Sequence, residues 1–164
     1  MKKLAQTGFS LIELLVVVAV SLILLNGAIS ALTGFNERRS VTNAVDELKT
    51  IIQTAQSKAR SGDLGGCTKL SGYQLQTYLN NNVTEVSLQA VCVEGTANDA
   101  QIQILPVRVT VTPNLNAIFQ VLNAGVLFPD DEGAWSVDLT VTNDTHNYLI
   151  VLYREGRIGD TGWQ

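Results

Sequence analysis

The feature that most constrains this chain is a run of 24 residues near its start, 9–32 (FSLIELLVVVAVSLILLNGAISAL), that carries one formal charge, Glu13. A helix of that length rises roughly 36 Å, enough to span a bilayer. A short basic leader, MKKLAQTG, precedes the run. Its Lys2 and Lys3 agree with an orientation that keeps positive charge on the cytoplasmic side. The leader ends in Gly8, whose missing side chain suits a tight, extended approach to a peptidase. An ordinary secretory signal is cut at small residues beyond its apolar stretch. No A-x-A site follows here, and the nearest approach, Ala28-Ile29-Ser30, lies inside the run. The cut is therefore expected before the hydrophobic helix.

The residues at that junction, Gly8-Phe9-Ser10-Leu11-Ile12-Glu13-Leu14-Leu15, resemble the G-F-[ST]-L-[IV]-E-[LV]-[LM] signature of type IV prepilins and type II secretion pseudopilins. The resemblance implies cleavage between Gly8 and Phe9 by a prepilin peptidase, then N-methylation of Phe9. Glu13 adds a physical argument, because a carboxylate inside an apolar spanning helix costs about 2.5 to 3.5 kcal/mol unless something compensates. Cleavage creates a compensating cation, the α-amino group of Phe9. The resemblance assigns Glu13 an assembly role, in which a neighbouring subunit's amine approaches it as subunits enter a filament. The simpler alternative is that Glu13, one turn from Phe9, pairs with its own amine or snorkels to the interface.

The chain has 164 residues, with 11 basic against 15 acidic side chains; setting Lys2 and Lys3 aside leaves nine against 15. Such an acidic body repels phosphate backbones and offers no broad electrostatic footprint for nucleic acid. The two cysteines, Cys67 and Cys92, both fall in the part expected outside the cytoplasm, where a disulfide forms and persists. They are a candidate bonded pair, the alternative being two buried thiols acting as small hydrophobes.

From residue 36 charged side chains intersperse with apolar ones, and positions 41, 44, 45, 48, 51, 52 and 55 fit helical spacing. No proline interrupts residues 9–60, so one long helix is expected there, with Asn26-Gly27 and Gly34 as its weak points. The glycine-rich stretch 61–66 ends it. Beyond Gly72 the period changes: residues 87–93, 101–104, 107–111 and 135–141 alternate faces as antiparallel strands do. Residues 147–153 form a nearly continuous apolar run, as expected of a central strand covered on both faces. The fold class expected is α+β, type IV pilin-like: a long N-terminal helix, its first half membrane-spanning, packed on an antiparallel β-rich head. The organisation read from these shifts is 1–8 as a cleaved leader, 9–35 as transmembrane and filament-core helix, 36–61 as its amphipathic continuation and 62–164 as a periplasmic head.

Three head segments also resemble the GspH/FimT-like minor pseudopilins and minor pilins. Residues 48–59 are similar to their second half-helix, 126–133 (VLFPDDEG) to their F-x-x-x-G turn, and 150–158 (IVLYREGRI) to their closing strand and G-R-[IV]. That resemblance implies a subunit of a type II secretion or type IV pilus filament, acting in initiation or tip assembly. Its partners would be other pilins or pseudopilins, the prepilin peptidase and methylase, and an inner-membrane assembly platform. It would sit in the bacterial inner membrane with one pass and its head in the periplasm.

Catalytic equipment is not visible: no Gly-rich phosphate loop, H-E-x-x-H, G-x-S-x-G or C-x-x-C occurs, and neither an enzymatic activity nor a cofactor is expected. His146, the sole histidine, sits in a polar cluster read as a hairpin loop. Asp130, Asp131 and Glu132 are candidate calcium ligands, weighed against an exposed acidic turn. Arg157, in Gly156-Arg157-Ile158-Gly159, is a candidate DNA contact, since FimT-like minor pilins that take up DNA carry G-R-x-R; here Gly159 stands at the second arginine. Trp163 is read as packed or loose chain end. The alternative functions are a DNA-binding minor pilin for DNA uptake and a helix-anchored periplasmic enzyme or carrier. Intact-mass spectrometry of membrane-extracted protein is expected to find N-methylated Phe9 as the first residue; a chain retaining Met1 favours the anchored enzyme and counts against the filament.

Overall fold

The computed structural model describes residues 10–96, 100–123 and 125–164, the side chains of 26–31, 96 and 123 apart. The chain divides into two compact units, residues 1–36 and 37–164. One helix, α1 (Leu11–Ser61), runs for 51 residues. It stops for a local reason. Gly62 takes a left-handed φ of +67° and the amide of Asp63 donates to the Lys58 carbonyl at 3.1 Å, the 6→1 bond of a Schellman cap. Lys58 and Arg60 in the last turn complement the helix dipole.

Among the described residues ten strands follow: β1 (Leu70–Asn80), β2 (Val83–Cys92), β3 (Gly95–Thr96), β4 (Gln101–Ile104), β5 (Thr110–Thr112), β6 (Asn116–Gln120), β7 (Val126–Leu127), β8 (Ser136–Thr142), β9 (Asn147–Tyr153) and β10 (Ile158–Trp163). They form two antiparallel sheets. The first has the order β3-β2-β1-β6-β7 with β4 also pairing β2; the second has the order β10-β9-β8-β5. In the first, β1 and β2 make a hairpin closed by Asn81 and Asn82, both at positive φ (49° and 63°), as a two-residue turn matching strand twist requires. Gly72 on β1 is required by close approach, because a Cβ there would stand 2.5 Å from the Phe119 carbonyl oxygen.

The 37–164 unit has one core. From α1 it takes Val41, Ala44, Val45, Leu48, Ile52 and Ala55, all at most 1% exposed. The sheets supply Tyr73, Leu75, Leu88 and Phe119 on one side and Val141, Ile150 and Leu152 on the other. Alternation along β1 puts Tyr73, Leu75 and Thr77 inward and leaves Gln74, Gln76 and Tyr78 half-buried. The outward amides bond one another, Gln74 to Asn116 at 2.9 Å and Gln89 to Gln74 at 3.0 Å. Buried hydroxyls are also satisfied: Thr77 accepts from the Leu115 amide at 2.7 Å and Thr84 donates to the Val109 carbonyl at 2.9 Å.

The structure corrects several sequence expectations. Residues 107–111 do not run as one strand: Pro106 opens a hydrogen-bonded turn, Val109 N–H to Pro106 O at 3.1 Å, with Arg108 at φ +68°, and pairing starts only at Thr110. The run 147–153 is central in its sheet but covered on one face; Ile150 and Leu152 are buried while Leu149, Val151 and Tyr153 are half-buried. Strands β1 and β6 are not evident from the sequence because glutamine, asparagine and glycine dilute their alternation. The end of the chain forms β10, paired along β9 with a bulge between Asp160 and Gly162.

Cys67 and Cys92 are joined in a disulfide, Cα–Cα 5.4 Å and 25 residues apart, tying the segment after α1 to the end of β2. Because the bond closes a loop of 25 residues, replacing both cysteines by alanine is expected to cost about 3.5 kcal/mol from the loop-closure entropy alone. Denaturant unfolding of the oxidised parent and the double variant checks it; equal stabilities would remove the cross-link from the account.

Candidate functional site

Ser10 stands immediately before α1, and its carbonyl accepts from the amides of Glu13 (3.1 Å) and Leu14 (3.2 Å). Ser10 is thus the N-cap and Glu13 the third residue of the first turn. Ser-x-x-Glu is the spacing of a capping box, and an acidic side chain there suits the positive end of the helix dipole. Every side chain from 11 to 25 is exposed, Leu11 at 83% and Ile23 at 72% among them. The one polar group on this stretch after Glu13, the Ser21 hydroxyl, donates back to the Val17 carbonyl at 2.7 Å. A helix apolar on all sides is not stable bare in water and calls for an apolar surround. Among the described residues no helix is long and apolar enough to cross a membrane; of the run 9–32, Phe9 and the side chains of 26–31 fall outside them. Gly8 and Phe9, the expected cleavage pair, likewise lie outside the described residues.

Within the 37–164 unit the closing strand is clasped to the helix by a polar and aromatic cluster. Lys49 on α1 pairs with Asp160 on β10 at 2.6 Å, and the Tyr148 hydroxyl donates to the other Asp160 oxygen at 2.5 Å. The Arg38 guanidinium lies 4.6 Å from the Trp163 ring centroid, and Tyr148 and His146 meet that ring edge-on at 5.1 and 5.8 Å. In the β8–β9 loop, Asn143 donates to the Glu37 carbonyl at 3.0 Å and Thr145 to the Glu37 carboxylate at 3.0 Å. Trp163 is therefore a packed residue and His146 part of its surround. Arg38, Lys49, Tyr148 and Asp160 carried no signal in the sequence, since Lys49 and Asp160 lie 111 residues apart.

The remaining candidates are scattered. Arg157 is bonded to Glu155 at 2.9 Å and stacks 3.8 Å from the Tyr153 ring centroid. It borders an open groove of about 530 Å³ that Arg60, Gln53 and Gln56 also line. Asp130 accepts from Asn116 at 3.3 Å, and Asp131 opens a turn in which its carbonyl accepts from the Ala134 amide at 3.1 Å. Among the described residues no group of three His, Cys, Asp or Glu stands together as a metal would require.

Residues 3–29 match the family model of the prokaryotic N-terminal methylation motif. That motif is the signal of type IV pilin-like proteins, pilins and pseudopilins alike, and the match takes in the leader from Lys3 onward, Gly8, Phe9 and Glu13. It implies assembly with other pilins and processing by a prepilin peptidase. Neither a curated protein nor a solved structure matches the chain.

The clasp should show in the pH dependence of stability. The Tyr148 hydroxyl is pushed from 10.0 to about 12, first by its bond to Asp160, then by burial and by the charges of Asp160 and Asp46. Its contribution is complete below pH 10 and is lost as pH rises towards 12. Asp160 is held below the usual aspartate value, first by Lys49 and then by Tyr148, so its contribution is complete above that usual value and fades as pH falls through the lowered one. The discriminating measurement is thermal unfolding of Tyr148→Phe beside the parent, since that variant removes only the hydroxyl. The gap between their midpoints is expected to shrink as pH climbs to about 12; a constant gap would show that the hydrogen bond is not what Tyr148 contributes.

Proposed function

We propose that this chain is a minor pseudopilin or minor pilin, a non-enzymatic subunit that helps initiate or cap a filament of pilin-like proteins. It is cleaved between Gly8 and Phe9, methylated on Phe9, held in the inner membrane by residues 9–35, and presents residues 62–164 to the periplasm. One observation carries the reading: the methylation motif over residues 3–29 leads into a helix whose side chains from 11 to 25 are exposed and apolar apart from Glu13 and Ser21. Such a helix exchanges lipid for the equivalent helices of neighbours without losing its apolar surround. Glu13 then sets the register, by receiving the terminal amine of an incoming subunit in a medium where an unpaired carboxylate is costly. Its position in the first turn of α1 agrees with this role, because it places the carboxylate near the end of the helix that cleavage exposes. An assembly ATPase elsewhere supplies the work of extraction.

Deleting the gene and scoring secreted enzymes, sheared surface pili and DNA uptake together separates the two systems. Loss of secretion alone assigns a type II pseudopilin; loss of pili or uptake assigns a minor pilin; no change in any of the three overturns the reading. Glu13→Leu is expected to be cleaved normally yet to fall about tenfold in filament incorporation, the effect of losing one charge-assisted contact. Immunoblots of sheared and membrane fractions measure it, and parental incorporation would remove Glu13 from the mechanism.

A further inference from the structure

A sheet is vulnerable at its edges, because an edge strand presents a row of backbone amides and carbonyls that another strand can pair. Most edges of the 37–164 unit are defended. In the first sheet β3 and β7 are two residues long, and Pro129 stands two residues beyond β7. In the second, β5 is three residues long with Pro113 directly after it, and β10 carries Asp160, two glycines and a bulge. Strand β4, Gln-Ile-Gln-Ile, has no proline, glycine or charge, and its register with β2 is unbroken. All four of its residues are exposed, Ile102 at 58% and Ile104 at 61%.

The hydrogen bonding next to β4 identifies the open groups. The Leu105 amide donates to the Thr84 carbonyl at 2.9 Å, on the β2 side. Backbone groups alternate sides along a strand, so Gln101 and Gln103 also turn theirs to β2, while Ile102 and Ile104 turn theirs away. Two amides and two carbonyls thus line the free edge with no partner among the described residues. The two isoleucine side chains share one face and the two glutamines the other. Gln103 donates to the Glu47 carboxylate of α1, and Glu85, opposite Ile104 on β2, accepts from Asn80 at 2.9 Å. Neither carboxylate is in an ion pair among the described residues.

We infer that the β4 edge is a strand-addition site for an extended segment of a different pilin-like subunit, one that sets apolar side chains against Ile102 and Ile104 and a lysine or arginine within reach of Glu47 or Glu85. Open backbone donors and acceptors at strand spacing call for an extended polypeptide, and unpaired carboxylates on both faces call for a basic one. A second copy of this chain fits poorly. Two β4 edges paired about a two-fold, Ile102 against Ile104, would set Gln103 opposite itself and bring both Glu47 carboxylates to one face with no cation between them. One added strand is also a one-to-one contact, as suits a subunit that starts or caps a filament. The inference rests on the filament reading above, from which the class of partner is taken.

The test uses the full chain in its host membrane, with the photo-reactive amino acid p-benzoylphenylalanine in place of Ile104. Irradiation is expected to give a cross-link that maps to an extended, lysine- or arginine-bearing segment of a second protein with a prepilin signature. Ile102→Pro removes an outward amide and leaves the pairing with β2 whole, so it should lower the yield about tenfold, whereas Ile102→Val should keep it. A parental thermal midpoint shows that the proline variant is folded. Should the midpoint fall, amide hydrogen exchange over residues 101–104 of the parent tests the same edge, and it is expected to be slower in filaments than in the detergent-solubilised subunit. No cross-link, a yield that the folded proline variant leaves unchanged, or equal exchange in the two states overturns the site. A cross-link to a second copy, to a protein without a prepilin signature or to a segment without a basic residue overturns the partner. If Phe9 is methylated in those cases, the filament reading stands without the contact; a chain that retains Met1 sinks both.

Discussion

The structure of the 37–164 unit depends on one act of burial, the covering of the apolar stripe of α1 by two sheets. Leu48 and Ile52 are completely buried, and each fully buried aliphatic side chain contributes about 1.5 to 3 kcal/mol. A single helix has no means of hiding such a stripe, so the chain after Ser61 must return to it. The Schellman cap at Gly62, the disulfide from Cys67 and the bond from the Tyr73 hydroxyl to the Asp63 carbonyl at 2.9 Å fix how that return begins. The sheets then fill two sides of one core, and every buried side-chain polar atom among the described residues has a partner.

The same helix is in a different physical situation at its start. From Leu11 to Leu25 it is exposed and, Glu13 and Ser21 apart, apolar. An exposed apolar surface of that extent marks a site of interaction. The two stretches of one helix thus differ in composition and exposure. The change falls where Glu37, Arg38 and Arg39 interrupt the apolar composition.

The strand β10 illustrates how long-range packing confers a role on residues that look ordinary. Asp160, Trp163 and Tyr148 carry no motif, yet together with Lys49 and Arg38 they bind the last strand to α1 by one ion pair, one hydrogen bond and an aromatic cluster. Exposed ion pairs are individually weak, and the cluster gains from sharing partners: Asp160 receives both Lys49 and Tyr148.

The long helix was legible because its 3.6-residue spacing at 41, 44, 45, 48, 51, 52 and 55 is a local property of the chain, and so was the processing signal, which a peptidase reads as a short linear sequence. The α+β class followed from the change of period after Gly72. Strands β1 and β6 were not legible, since glutamines that bond across strands look like loop polarity until the partner strand is known. Nor did alternation reveal that residues 107–109 turn, because Pro106 and the pinning of Thr84 against Val109 act through contacts 25 residues apart. The sequence by itself determined the helix, its apolar first half and the signal before it, all of which rest on neighbours in the chain. Only the tertiary structure decided the sheet order and the clasp on β10, because each depends on pairings between segments whose separation in sequence carries no trace of their separation in space.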